Sequence, residues 1–150
     1  MRVTRTVNQE LIKETLNDPV LWDVSTEDGT PPLEEFWPDI DEKIWIALID
    51  DDDNVRGFMI GDLVSRVQVR VHIAIRSEYW GDKANVELGK QAIAWFQENG
   101  AQKIIATIPT EDKQVLRYAQ RCGLQREGVN KKSFLREGEL LDQYYLGLVA

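Results

Sequence analysis

The chain has 150 residues, a length at which one compact domain with its own hydrophobic core is expected. It contains no apolar run of about 18 residues, so the sequence predicts neither a membrane span nor an export signal. Its one cysteine, Cys122, cannot form an internal disulfide, and one cysteine with one histidine cannot make a zinc site. A net charge of −8 without a basic stripe excludes nucleic acid as a partner. We therefore expect a cytoplasmic protein that binds no metal.

The first third of the chain predicts a strand followed by two helices. Arg2–Val7 alternates polar and apolar residues, and Asn8 then opens a helix with one apolar face formed by Leu11, Ile12 and Leu16. A turn-rich segment, Asp23–Pro32, leads to a short second helix in the stretch PPLEEFWP. Its residues Leu33, Phe36 and Trp37 are expected to pack on the core.

Three apolar runs between Lys43 and Ile75 predict an antiparallel meander, with an acidic turn at Asp50–Asn54 and a tighter turn near Ser65. The third run is two-faced. Its odd-numbered residues from Val67 to Ile75 are apolar, whereas the other face carries Gln68, Arg70, His72 and Ala74.

The second half predicts a long helix from Asp82 to about Asn99, ended by Gly100. Gly89 inside this helix indicates close approach to the sheet beneath it. A buried strand, KIIATI, and a helix over Asp112–Arg121 follow. The chain then closes with extended runs around a turn at Glu137–Glu139.

Two groups of residues stand out within this order of elements. The first group is Tyr79, Trp80, Gly81 and Glu87, and the second is Gly123, Glu127, Gly128, Asp142 and Tyr145. The order of elements resembles the GNAT (GCN5-related N-acetyltransferase) superfamily, and the two groups are most similar to its branch that acetylates ribosomal-protein N-termini. The resemblance implies one α/β (α+β) domain over residues 1–150. Its sheet would be mixed and mostly antiparallel, with six to seven strands, a splayed central strand and about four helices on both faces.

The resemblance also implies that acetyl-CoA is the co-substrate. Backbone groups of Ile73, Ala74 and Ile75 on the splayed strand would pair with the pantetheine amides. The pyrophosphate would lie at the next helix N-terminus, and the loop that would hold it is formed by Trp80, Gly81, Asp82, Lys83, Ala84 and Asn85. Trp80, Lys83 and Asn85 depart from the family pattern, which has Gln or Arg, Gly, and Gly or Ala at these positions.

The base and the acid that amine acetylation needs are not marked by one clear motif. Arg70 occupies the region in which the family often has a carboxylate base, which leaves His72 as the first candidate and Glu78 as the second. His72 as a hydrogen-bonded residue of the sheet is an equally good interpretation. Tyr118, Tyr144 and Tyr145 are candidates for protonating the thiolate, and Tyr118 is one place out of the family register.

Two functions remain open at this point. The first is an acetyl-CoA-dependent N-acetyltransferase that acts on a primary amine of a protein or small molecule. The acidic residues between Glu27 and Asp53 either attract this cationic amine or are only the exposed residues of solvated loops. The second is a GNAT-like protein without catalysis that serves as a binding or assembly factor, as in tailed-phage genomes. We expect a monomer, or a homodimer that uses the terminal hairpin with Tyr144, Tyr145 and Leu146 as an edge.

Overall fold

The computed structural model describes all residues from Met1 to Ala150 and consists of seven strands and four α-helices. The strands are β1 (Arg2–Thr6), β2 (Lys43–Ile49), β3 (Val55–Leu63), β4 (Gln68–Ile75), β5 (Lys103–Pro109), β6 (Gln125–Arg136) and β7 (Glu139–Val149). The helices are α1 (Gln9–Thr15), α2 (Pro19–Ser25), α3 (Ala84–Glu98) and α4 (Lys113–Arg121). No helix has the length and apolar character that crossing a bilayer requires.

All seven strands form one sheet in the order β1-β2-β3-β4-β5-β7-β6. The predicted meander is confirmed, because β2, β3 and β4 pair antiparallel in succession. Strands β4 and β5 are parallel and pair only from Gln68 with Lys103 to Arg70 with Ile105. Beyond Arg70 the two strands separate, so the sheet has a central splay that opens toward their C-terminal ends.

Two hydrophobic clusters cover the two faces of the sheet. The larger cluster contains Leu88 and Phe96 of α3 and Leu116 of α4, together with Val69 and Val71 of β4. The smaller cluster contains buried residues of α1 and α2, together with Phe58 and Ala74 of the meander. The strict alternation along β4 therefore places Val69, Val71 and Ile75 toward α3, and Arg70, His72 and Ala74 toward the opposite face.

The main difference from the sequence prediction lies in the segment between α1 and β2, the first strand of the meander. Helix α2 was not predicted, although Asp18 caps it by accepting hydrogen bonds from Val20 N and Leu21 N, and Pro19 is its first residue. The stretch PPLEEFWP forms only one 3₁₀ turn, Leu33–Glu35. Trp37 is 55% exposed, so the prediction that it packs on the core was wrong.

Gly89 marks a close approach, but to a helix and not to the sheet. A Cβ at this position would lie 2.3 Å from the Tyr118 hydroxyl and 2.7 Å from Cys122 Sγ, both on the α4 side. The predicted contact with the sheet was therefore wrong. The glycine allows α3 and α4 to pack closely, which holds the first turn of α3 at the splay.

The free edge at the C-terminal side of the sheet is β6. Strand β7 lies between β5 and β6 and pairs with both. Tyr144, Tyr145 and Leu146 are on β7, so they cannot form a free edge as the hairpin prediction supposed. Any edge-to-edge association on this side would use the backbone of Gln125–Arg136.

Candidate active site

The splay leaves backbone groups of β4 without a neighbouring strand on one side. Arg76 N donates to Arg56 O of β3, and backbone polar groups alternate between the two sides of a strand. The N–H and C=O groups of Ile73 and Ile75 therefore point into the splay. Those of Ala74 point to β3, where this residue is opposite Phe58, so Ala74 contributes no free backbone group.

One of these free groups already has a partner from the following loop. The indole Nε1 of Trp80 donates to Ile75 O over 2.7 Å. The Trp80 side chain remains 42% exposed, so it lies at the mouth of the splay and not in the core. Ile73 N–H, Ile73 C=O and Ile75 N–H are left for an extended ligand that enters between β4 and β5.

The loop after β4 turns sharply at Gly81, whose φ of +86° favours glycine. Neither Gly81 N nor Lys83 N has a hydrogen-bond acceptor. The start of α3 is more fully satisfied, because Ala84 N donates to Asp82 Oδ1 over 2.9 Å and Asn85 N donates to the carbonyl of Asp82. The loop thus offers two N–H groups to an anion, while the Asp82 carboxylate lies where the helix dipole would attract one.

Arg56 of β3 is the centre of the network that holds this loop. Its guanidinium contacts Asp50 Oδ2 through Nε at 2.9 Å, and Asp82 Oδ2 at 3.0 Å and Asn85 Oδ1 at 3.1 Å through Nη1. Asn85 is buried and also donates from Nδ2 to Tyr79 O. The Ala84 N–H, and then Arg56, hold the pKa of the Asp82 carboxyl below its usual value. Asn85 thus supports the loop from inside, and Lys83 is exposed.

His72 and Arg70 lie on the opposite face of β4, at the point where the splay begins. His72 is exposed, and its Nε2 lies 3.5 Å from Asp62 Oδ2, while Asp62 Oδ1 accepts from Lys43 Nζ at 3.0 Å. Loss of hydration among protein atoms lowers the pKa of His72; the charges of Lys43 and Arg70 act in the same direction and Asp62 opposes them. His72 is therefore neutral at neutral pH and able to accept a proton.

Arg70 has no partner at all. No side chain or carbonyl of the protein accepts a hydrogen bond from its guanidinium, no carboxylate lies within 4.0 Å of it, and its Nε is buried. It is the last residue of β4 that pairs with β5. A half-buried, unpaired cation thus lies beside the candidate base.

The other catalytic candidates lie away from this point. Glu78 follows the end of β4 and accepts from Arg76 Nε over 2.6 Å, so it is at the open end of the splay. Tyr118 donates to Asn85 O over 2.8 Å, and burial raises its pKa, which keeps the phenol protonated between α3 and α4. Tyr145 is the tyrosine of β7 on the face of His72, since the neighbouring Leu146 belongs to the α3 side, and its hydroxyl is unbonded.

Sequence reasoning missed three residues of this site: Arg56, Asp62 and Arg70 as a recognition group. Arg70 was noted only as the replacement of a carboxylate. The signal for Asp62 was available, because the tight turn near Ser65 sets the register that places it opposite Arg70. Asp50 is a partner of Arg56 near it in the sequence, but Asp82 and Asn85, which link Arg56 to the loop, are far away in the chain.

Comparison with known proteins shows the family and the fold of the chain. The sequence model of the GNAT acetyltransferase domain matches residues 8–125. No curated protein is similar enough in sequence to give a match.

Solved structures share the fold at low sequence identity. The crystal structure of spermidine N-acetyltransferase from Vibrio cholerae, in complex with CoA and spermine, has a TM-score of 0.79 at 15% identity and covers 98% of this chain and 94% of its own. The GNAT-family acetyltransferase from Bacillus anthracis has a TM-score of 0.74 at 17% identity, with 99% and 95% covered. For the ribosomal-protein-S5-alanine acetyltransferase from Vibrio fischeri the values are 0.63 and 17%, with 73% and 63% covered.

The last of these structures is a weaker match than the first, so kinship with the ribosomal-protein branch stays a prediction. The fold class, by contrast, is confirmed: a mixed, mostly antiparallel sheet with a central splay and helices on both faces. With a family match over more than half of its length, the chain belongs to the GNAT acetyltransferase family.

Proposed function

We propose that the protein transfers the acetyl group of acetyl-CoA to a primary amine. The observation that supports this most strongly is the separation of β4 from β5 after only three residue pairs, in a chain of the GNAT family. It leaves Ile73 N–H, Ile73 C=O and Ile75 N–H at a groove between two strands. An extended chain with two amides, such as pantetheine, fits such a groove as an added strand does.

The chemistry is assigned to groups on the opposite face of the same strands. Neutral His72 takes a proton from the ammonium form of the acceptor, and the free amine then attacks the carbonyl carbon of the thioester. The new C–N bond forms as the C–S bond breaks. The nitrogen then loses a second proton to become the amide, and this proton balances the one that the thiolate takes up to leave as CoA. Tyr145, on the same face across the splay, is the donor that best fits this last step.

Positioning is the other contribution of the protein. Asp18 is buried and accepts from Ser77 N at 2.7 Å and Ser77 Oγ at 2.9 Å, which ties the start of α2 to the turn after β4. Together with the Arg56 network this holds both ends of the loop around Gly81. A fixed groove reduces the loss of freedom when donor and acceptor meet.

A binding or assembly protein without catalysis is the second candidate, and two specific contacts favour it. Trp80 occupies Ile75 O, and the Asp82 carboxylate lies at the N-terminus of α3 where a pyrophosphate would have to approach. On this alternative the splay is a remnant of the fold, and CoA does not enter it.

Calorimetric titration with desulfo-CoA separates the two candidates. Saturable binding below millimolar concentration, weakened at least tenfold by Gly81→Asp, supports the proposed enzyme. Gly29→Asp is the matched control, because Gly29 also has a positive φ, +83°, and equal space for a side chain. Absence of binding, or equal binding by the two variants, would contradict the proposed function.

A further inference from the structure

We propose that the acceptor of this enzyme carries a carboxylate close to its primary amine, and that Arg70 binds this carboxylate. The inference rests on the proposed acetyl transfer and specifies the substrate class of the same site. It starts from the arginine that the protein itself leaves without a partner.

Two other cations on this face of the sheet, Lys43 and Lys103, are paired. Lys43 Nζ lies 3.0 Å from Asp62 Oδ1, and Lys103 Nζ contacts Glu127 Oε2. Asp62 is opposite Arg70 in the register, yet its two oxygens are directed to Lys43 and His72. Arg70 Nε is buried without an acceptor, which is unfavourable, and an anionic ligand would supply the missing acceptor.

The position of Arg70 limits what this ligand is. It lies two residues before His72 on one face of β4, a separation of roughly 7 Å along the strand. Both side chains are at the vertex of the splay, next to the groove assigned to the thioester. A molecule that presents its amine to His72 therefore has its next few atoms within reach of the Arg70 guanidinium.

The guanidinium selects for an anion and against a second cation. Its planar N–H groups match a carboxylate with two parallel hydrogen bonds. A polyamine would instead bring further positive charge to a site that already contains Arg70 and Lys43. The chemistry is thus that of an amino acid, whether it is free or begins a peptide with an acidic side chain.

Part of the acidic surface is already used by the fold. Asp28 accepts from Glu137 N and Gly138 N, and Asp39 accepts from Asp41 N and Glu42 N. An open cleft of about 500 Å³ beside α2 is acidic as well, but its Asp112 is bonded to Arg136. Asp28 and Asp39 thus stabilise the turns that they cap.

The test compares acceptors that differ only in the carboxylate. Initial rates with acetyl-CoA are measured for glycine against glycinamide and for β-alanine against β-alaninamide, with spermidine and a tripeptide that begins with aspartate as further acceptors. We expect kcat/KM to be at least tenfold higher with the carboxylate than with its amide. Comparison of the rates with the free amino acids and with the tripeptide shows whether the acceptor is a free amino acid or a peptide that begins with an acidic residue. Either result supports the inference.

Variants assign the selectivity to one residue. Arg70→Met is expected to reduce the glycine-to-glycinamide ratio to about one through a higher KM for glycine, and Arg70→Lys to retain part of it. Arg66→Met, the same charge change at an exposed turn residue, should leave the ratio unaltered. Thermal melting confirms that each variant is folded.

Two results would overturn the inference. If the enzyme prefers spermidine or the amides while it still binds desulfo-CoA, the acceptor does not need a carboxylate. The inference is then refuted, but the proposed acetyl transfer is not. Transfer to no amine, together with no binding of desulfo-CoA, refutes the proposed function and the inference with it.

Discussion

Two arginines on neighbouring strands, Arg56 of β3 and Arg70 of β4, are in opposite situations. Arg56 contacts Asp50, Asp82 and Asn85. Its guanidinium carbon also lies 4.7 Å from the centroid of the Tyr79 ring. Arg70 contacts no acceptor, although its Nε is buried. The first arginine is used by the fold and holds the loop around Gly81. The second is retained for a purpose outside the fold, which is why we assign it to substrate recognition.

The largest expected effect is on stability, and it separates the two arginines. Arg56→Met leaves two buried oxygens, Asp50 Oδ2 and Asn85 Oδ1, without the donor that they share, so we expect the melting temperature to fall by roughly 10 °C. Arg70→Met removes no hydrogen bond and eliminates the buried Nε that lacks an acceptor. The melting temperature of this variant should therefore be within about 2 °C of that of the parent protein, or above it. Differential scanning calorimetry measures both, and equal losses would show that Arg70 has a structural role.

The next effect concerns the anion that the protein itself places at the N-terminus of α3. Asp82→Asn removes a negative charge from the position assigned to the pyrophosphate but keeps an acceptor for Ala84 N. We expect CoA to bind about fivefold more tightly, as removal of one like charge a few ångströms away implies. Glu139→Gln, the same charge change at the exposed hairpin turn, is the control. Weaker binding by Asp82→Asn would mean that the carboxylate orders the loop for CoA.

The smallest effect is a shift in the titration of His72, the only histidine of the chain. Its pKa lies below the usual value near 6.5. The unfolded chain thus binds a proton that the folded chain does not, and stability falls as the pH decreases below about 6.5 and is unaffected above it. We expect kcat/KM to fall on the acid side in the same window.

Single-residue changes around His72 give the sign of each contribution. Arg70→Met removes a cation and should raise the midpoint seen in the proton NMR signals of the imidazole, whereas Asp62→Asn should lower it. If the midpoint does not move in Arg70→Met, the two side chains are too far apart to act on one acceptor.

Most of the fold was open to prediction because its signals are local. The alternation from Val67 to Ile75 and the apolar face of α3 each repeat with the period of one element. Helix α2 escaped because only Leu21 of its seven residues is buried, and its signals were limited to the capping pair Asp18 and Pro19.

The site was less accessible because its contacts join distant parts of the chain. His72 and the residues of the loop were singled out from their places along the sequence, but the two partners of Arg56 in that loop, Asp82 and Asn85, lie 26 and 29 positions beyond it. Whether Arg70 has a partner depends on where the Asp62 carboxylate points, which is a property of packing and not of pattern. The alternation of the β4 backbone likewise removed Ala74 from the groove only when its pairing with β3 was known.

The most direct test of the central claim, that CoA enters between β4 and β5, is an NMR titration of ¹⁵N-labelled protein with desulfo-CoA. The account predicts that the amide signals of Ile73 and Ile75 shift with saturation and become protected from hydrogen exchange. The amide of Ala74 faces β3 and should change much less. Binding that leaves Ile73 and Ile75 unperturbed, or that affects the three residues equally, would contradict the placement of the donor in the splay.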